Sequence, residues 1–474
     1  MNSYISLISK TVLVLFILCS NSAYSQTVDS SRYYKINSVK IVGNKKTRDK
    51  IILRELVRKE KDTFLLKNIT RLNTRNEFNI FNTQLFIYDS VKVVANDSLK
   101  QLDYTIKVKE RWYIWPIPFV DFLDRNINAW YQTKDLNRLA YGMSLNLENF
   151  TGNKDLLTLI FRTGYANQYG FHYRLPYLNS KQTIGAYTQY TYNEHNKLQF
   201  ATLNNKQQFV TDANEHLRKD HFAKMGIFYR PRLFMQHVFE LSYTDLRISS
   251  KVNDLNPNYF SKGTSHASYV SLAYRLTYDN RDNKIYPLSG HMFDLTLVKD
   301  GFDVSDHSTV DLSSWVIAYK KYFPIHKRIN FATQAKVRSV NSGQPRPFVF
   351  NGALGYSNFI RGYEYYVIDG QNYVLSKNSL RFQLIEPKFH EVGALKKLKP
   401  FSTIPFYAYL NVFYDGAYVQ EDVFRKTNDL ANSWQHGYGI GLDIISYYDF
   451  VMRFEYSFNK QNQSGLYIHL TSGF

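Results

Sequence analysis

From Leu139 onward the chain alternates apolar and polar residues with a period of two. Leu139, Tyr141, Met143, Leu145 and Leu147 interleave with Gly142, Ser144, Asn146 and Glu148; a turn follows at Thr151-Gly152-Asn153, and then Leu157, Leu159, Phe161 and Tyr165 interleave with Thr158, Arg162 and Gly164. Such alternation marks strands with one apolar face. It recurs to the C-terminus in sixteen segments, the first at 139–150, the fifth at 198–211 and the last at 465–474. Short connections (151–153, 231–233, 325–327, 447–448) fall on one side and long ones (250–265, 300–310, 341–377, 417–435) on the other, with 387–404 long on the short side. Arg162, Arg381, Arg453 and Glu455 all lie opposite the aromatic rows. The pattern predicts a mainly β protein, a 16-stranded antiparallel transmembrane β-barrel over 139–474 with an apolar outer wall and a polar lumen; about 9–11 residues per strand suffice to cross a bilayer.

Residues 33–111 are patterned differently. A strand at 35–42 ends at the turn dipeptide Gly43-Asn44, and Thr47 is placed to cap a helix bearing Ile51, Ile52, Leu56 and Val57 on one face. A second helical segment spans 66–76, and 86–94 and 102–109 alternate as strands, giving a small α/β domain of order β-α-α-β-β. Between it and the barrel, 112–138 opens with Trp112-Tyr113-Ile114-Trp115-Pro116-Ile117-Pro118 and reads as an aromatic, proline-broken linker at the membrane interface. The segment 341–377 is too long and weakly patterned for an ordinary connection, and its Gly, Phe and Tyr content predicts an ordered loop that folds back into the molecule.

Composition narrows the setting. One cation, Lys10, precedes the apolar run Thr11 to Leu18 and the small residues ending at Ser25, so 1–25 reads as a secretory signal peptide, with the sole cysteine, Cys19, inside it. The 39 Tyr and 34 Phe with a mean hydropathy of −0.38 suit a wall that alternates aromatic and polar residues. A formal charge of +19 scattered through strand-like sequence fits anionic lipid headgroups and a polar lumen rather than nucleic acid. The histidines lack metal-ligand spacing, Ser, His and Asp occur without a nucleophile elbow or triad context, and the acidic residues at 279–282 lack the ladder of a calcium loop. These observations predict no enzyme, no cofactor and no metal.

Four motifs carry a family resemblance. They are Ile360-Arg361-Gly362-Tyr363; Asp279-Asn280-Arg281-Asp282 followed by Pro287 and Gly290; Phe413-Tyr414-Asp415-Gly416; and the strand pair from Gly437 through Gly439-Ile440-Gly441-Leu442 to Arg453-Phe454. In this order and spacing, behind a domain resembling a POTRA module, the chain is similar to the superfamily that includes BamA, TamA and the two-partner-secretion transporters. The resemblance implies that the loop of Ile360, Arg361, Gly362 and Tyr363 enters the lumen and that Arg361 pairs with Asp415. It further implies that Asp279, Arg281, Asp282, Pro287 and Gly290 form a periplasmic turn, and that Leu466, Ile468, Leu470 and Phe474 form the insertion signal of the last strand. Where some members carry a second acidic residue after the loop this chain has Arg381, so a second carboxylate for Arg361 is not expected there.

The function implied is insertion or translocation of other proteins at the cell outer membrane, without nucleotide hydrolysis. A client strand would be templated at a seam between 139–150 and 465–474, with the N-terminal domain in the periplasm. The partners implied are outer-membrane lipids, client polypeptides and accessory periplasmic or lipoprotein subunits. The competing reading is an outer-membrane channel for solutes or for one dedicated secreted partner, which a single POTRA-like copy favours.

Overall fold

The computed structural model describes residues 33–471 apart from 125, 261–262, 303–309, 343–345, 392, 394–402 and 447–449, so the expected signal peptide and Phe474 lie outside the described residues. The N-terminal domain comprises β1 (Tyr33–Val42), α1 (Asp49–Leu53), β2 (Thr63–Leu65), α2 (Ile69–Phe81), β3 (Phe86–Asn96) and β4 (Gln101–Glu110), in a sheet of order β2-β1-β4-β3. Alternate residues of β1 and β4 (Tyr34, Ile36; Leu102, Tyr104, Ile106) are buried against Ile51, Ile52 and Ile80 from the helices. The short β2 is an addition to the expected order. Thr47 does not cap α1: its N–H donates to Glu110 (2.7 Å), and its hydroxyl joins Tyr113 (3.0 Å) and Asn149 (2.9 Å), the last in the barrel.

The barrel wall begins earlier than the alternation suggests. Its strands are β5 (Ile114–Phe122), β6 (Leu139–Glu148), β7 (Leu156–Gly164), β8 (Ala166–Leu175), β9 (Ile184–His195), then, after a hairpin of β10 (Lys197–Leu203) and β11 (Lys206–Thr211), β12 (Arg218–Arg232), β13 (Met235–Ile248), β14 (His266–Asp279), β15 (Gly290–Phe302), β16 (Leu312–His326) and β17 (Ile329–Ser342). Beyond the long loop, which holds the small pair β18 (Gly352–Leu354) and β19 (Ile368–Asp369), come β20 (Asn372–Glu391), β21 (Thr403–Gln420), β22 (Trp434–Ile445), β23 (Val451–Asn459) and β24 (Ser464–Thr471). Sixteen strands form one antiparallel sheet running from β5 to β24, and no ladder joins these two edges among the described residues.

The count of sixteen agrees with expectation through two corrections that offset each other. First, 198–211 is not a wall strand. Asn204 and Asn205 both adopt left-handed backbone (φ 50° and 58°), which folds the segment into the β10–β11 hairpin outside the main sheet. Second, the 112–138 segment is not only a linker, because 114–122 pairs with β6. Glu148 N–H donates to the Tyr113 carbonyl and Leu123 N–H to the Arg138 carbonyl, so odd-numbered residues of β5 face β6 and even-numbered ones face away. Pro116 and Pro118 therefore remove no bond from the ladder, as an edge strand permits. The edge opposite β24 is β5; 139–150 lies one strand in, and the expected seam moves accordingly.

The N-terminal domain sits across the turns that join β6–β7, β8–β9, β12–β13 and β14–β15. Arg48 N–H donates to the Gly152 carbonyl (3.1 Å), and Arg54 donates to the carbonyls of Gln182 and Arg230 (both 3.0 Å). The buried Glu55 receives both terminal nitrogens of Arg230 at 2.7 and 2.9 Å. Asn82 exchanges bonds with the Asp282 carbonyl (2.9 Å) and Lys284 N–H (3.0 Å). On the opposite mouth the Asn205 hairpin tip accepts from Val367 N–H (2.9 Å) and Leu430 N–H (3.3 Å), so it lies over the long loops.

Candidate functional site

The long loop after β17 turns back into the lumen, and β18–β19 pins its base. Ile360 and Tyr363 are buried with Leu354, Leu375 and Val419, an apolar anchor that leaves Arg361 aimed at the wall. Gly362 has φ +91°, and a Cβ there would lie 3.0 Å from the Phe458 carbonyl oxygen. Gly437, on β22, faces the Arg361 carbonyl so closely that any side chain would collide with it. Two glycines thus let loop and wall meet backbone to backbone.

Arg361 is 1% exposed and Asp415 fully buried. Nε and Nη2 of the arginine donate to the two carboxylate oxygens at 2.8 and 2.6 Å, and its backbone N–H adds a third bond at 3.2 Å. The remaining N–H groups reach Ser379 Oγ (3.1 Å), the Asn378 carbonyl (3.1 Å) and Glu455 (3.4 Å), so all five guanidinium donors have acceptors. The guanidinium also stacks on Phe413, 3.9 Å from the ring centre. Lys377, in register with Asp415, lies 3.8 Å from it and 4.3 Å from the Phe359 ring centre. A second carboxylate does serve Arg361: it is Glu455 on β23 rather than a residue just after the loop. Its sequence signal was its place two residues from Arg453 on the lumen face.

The charged groups continue toward the N-terminal domain. Arg453 lies 3.7 Å from Glu455 and donates to Asp443 at 2.7 Å; Asp443 also receives Asn411 (2.9 Å) and the hydroxyl of Tyr286 (2.7 Å). Tyr286 belongs to the turn between β14 and β15, and sequence reasoning did not single it out. In that turn Arg281 binds Asp279 through two bonds (2.8 and 2.9 Å), Asp282 accepts the N–H groups of Asn283 and Leu288, and Gly290 has φ +97°. Arg381 stacks over Tyr286 (4.5 Å) and donates to the Pro287 carbonyl (3.0 Å), holding the turn that Asn82 grips from the other side. The network thus spans from Asp415 to the level of Tyr409 on β21, roughly 20 Å of strand at about 3.3 Å per residue.

The loop also covers the inner face of β24. Phe359 stacks on His469 (5.2 Å), Tyr365 meets Tyr467 (5.4 Å), and His469 Nε2 lies 3.2 Å from Glu364 and 3.5 Å from Glu455. Among the described residues, Glu364, Glu455 and His469 offer ligand atoms within 4.8 Å of one another, a spacing that fits a divalent ion. Leu466, Ile468 and Leu470 point outward, 63%, 39% and 63% exposed, as a lipid-facing row requires.

A family model described as an Omp85 superfamily domain matches residues 137–473, and one described as a surface antigen variable number repeat, POTRA, matches 34–111. Among solved structures, BamA from Haemophilus ducreyi lacking POTRA domains 1–3 is similar over 92% of this chain and 83% of its own, with 15% identity and a TM-score of 0.51. CdiB from Escherichia coli is similar over 92% of this chain and 75% of its own, with 10% identity and a TM-score of 0.54. Identities this low speak for the fold alone. No curated protein matches the sequence.

Proposed function

The chain belongs to the Omp85 superfamily, an outer-membrane β-barrel with a periplasmic POTRA domain, and from that premise we propose that it inserts or translocates other polypeptides without nucleotide hydrolysis. The observation that carries the reading is that, among the described residues, no ladder joins β5 to β24 in an otherwise continuous sheet. A free strand edge accepts another strand, so a client segment can be templated there. The motif loop supports this reading because it packs on the inner face of β24 while its arginine is held by three other wall strands, β20, β21 and β23. Its proposed role is to hold the lumen wall in one arrangement beside the seam. In the same reading the POTRA domain receives clients on the periplasmic side.

The test is depletion of the protein followed by quantitation of the outer-membrane proteome. Broad loss of barrel proteins is expected for an assembly factor, and loss of one exported protein for a dedicated transporter. Unchanged protein levels with altered uptake of small solutes would overturn both in favour of a channel.

A further inference from the structure

The two edges of the seam are chemically unequal. On β5 the outward-facing positions are Ile114, Pro116, Pro118, Val120 and Phe122, by the parity that turns the odd residues toward β6. Two of these have no N–H, and the N–H of Phe122 is taken by the Asp121 carboxylate (3.0 Å). The outward carbonyl of Ile114 accepts the Trp112 indole N–H. An edge blunted in this way is poor at accepting a strand.

On β24 the outward positions are Leu466, Ile468 and Leu470, each with both peptide groups and none of them proline. One side chain meets this edge in a particular manner. Asn128, on the short helix α3 (Ile127–Thr133) in the β5–β6 connection, donates from Nδ2 to the Ile468 carbonyl (3.2 Å) and accepts from Ile468 N–H at Oδ1 (3.1 Å). A carboxamide presenting donor and acceptor side by side reproduces the pair of bonds that a residue of a neighbouring antiparallel strand would make. Asn126, which caps the helix through Ala129 N–H (2.8 Å), also donates to the Glu364 carbonyl (3.1 Å) and so ties the helix to the motif loop.

We propose that β24 is the strand-accepting edge of this protein, that β5 is closed to strand addition by Pro116 and Pro118, and that Asn128 is a displaceable cap occupying the place of an incoming strand. The inference rests on the seam reading above and specifies it. The occupant is an extended client segment with alternating apolar residues, because the outer face of the edge is the lipid-facing row Leu466, Ile468 and Leu470, and because the group seated there is an amide.

Photocrosslinking tests this on the full-length protein in nanodiscs of outer-membrane lipid. A photoreactive residue is placed at Leu470 or at Val120, and the probe is a biotinylated peptide with the sequence of residues 464–474. We expect labelling at 470 to dominate, and Asn128→Ala to raise it on the order of tenfold, the effect of removing two modest competing hydrogen bonds. Pro116→Val with Pro118→Val is expected to raise labelling at 120. Gel mobility of unheated samples verifies that each variant is folded. Dominant labelling at 120 in the parent protein, or no response to Asn128→Ala in a folded variant, overturns the inference and leaves templating standing. Labelling at neither site overturns both.

Discussion

At the residue scale, the Arg361–Asp415 pair is buried beyond the reach of water, and its worth lies in completeness rather than in net attraction. A desolvated pair with every donor matched is close to neutral, whereas one left without its partner costs on the order of 3–5 kcal/mol. Arg361→Ala is therefore expected to lower barrel stability by about that much, read as a fall in the temperature at which the unheated gel form is lost. Arg361→Lys keeps the charge but cannot span both carboxylate oxygens or feed Ser379, Asn378 and Glu455 together, so it is expected to recover only part of the loss. Combining Arg361→Ala with Asp415→Ala should cost less than the two added, because neither then strands the other. Another ion pair, the buried Glu55 with the partly buried Arg230, sits where the POTRA domain meets the barrel. Burial raises the Glu55 carboxyl, and the Arg230 guanidinium outweighs it, leaving a pKa of about 2 against an ordinary 4.5. A carboxyl depressed on docking favours the docked state above about pH 4.5, and that contribution fades as pH falls toward 2. Protease access to the β6–β7 and β12–β13 turns should rise over that window and stay flat between pH 5 and 8, and Glu55→Gln should expose them already at neutral pH.

At the element scale, the contact between loop and wall depends on the absence of side chains. Gly437→Val should expel the motif loop while leaving the β21–β22–β23 ladder intact, because the severe collision is with the Arg361 carbonyl, whereas the nearest atom of a neighbouring strand, the Phe458 carbonyl oxygen, would lie 3.3 Å from the new Cβ. Increased cleavage within 355–370 by a protease added outside, with unchanged gel mobility, is the expected result. Elements of this kind differ in how readable they were. The wall strands β6 to β9, β12 to β17 and β20 to β24 were legible because lipid on one side and a polar lumen on the other impose period two on them. β5 was not, since prolines in the middle of a run normally argue against a strand, and only its position at an edge makes Pro116 and Pro118 harmless. The β10–β11 hairpin alternates like a wall strand, and its one distinguishing signal is the Asn204-Asn205 dipeptide. Glu455 was visible as a lumen residue and the turn that carries Tyr286 as a motif, but that Tyr286 reaches Asp443 and Glu455 reaches Arg361 depends on how the strands curve round. Nothing in the local sequence marks Asn128.

At the scale of the whole molecule, both mouths of the barrel are covered from within the chain. The POTRA domain crosses four turns on one side, and the hairpin tip at Asn205 rests on the loops at Val367 and Leu430 on the other. Since the hairpin lies outside the sixteen-stranded sheet, deleting 197–211 should preserve the heat-modifiable barrel and increase ion conductance in planar bilayers; loss of the folded form would show that the hairpin supports the wall. The contact between Asn128 and Ile468 joins residues 340 positions apart. Loop-closure entropy grows only with the logarithm of that separation, so the consequence is one of timing more than of energy. Asn128 is synthesised long before β24 exists, and the cap can seat only after every intervening strand has found its register. Throughout its own biogenesis, then, the protein's last strand is a bare edge of the kind it is proposed to receive from others. The molecule passes through its client's predicament before it can act as host.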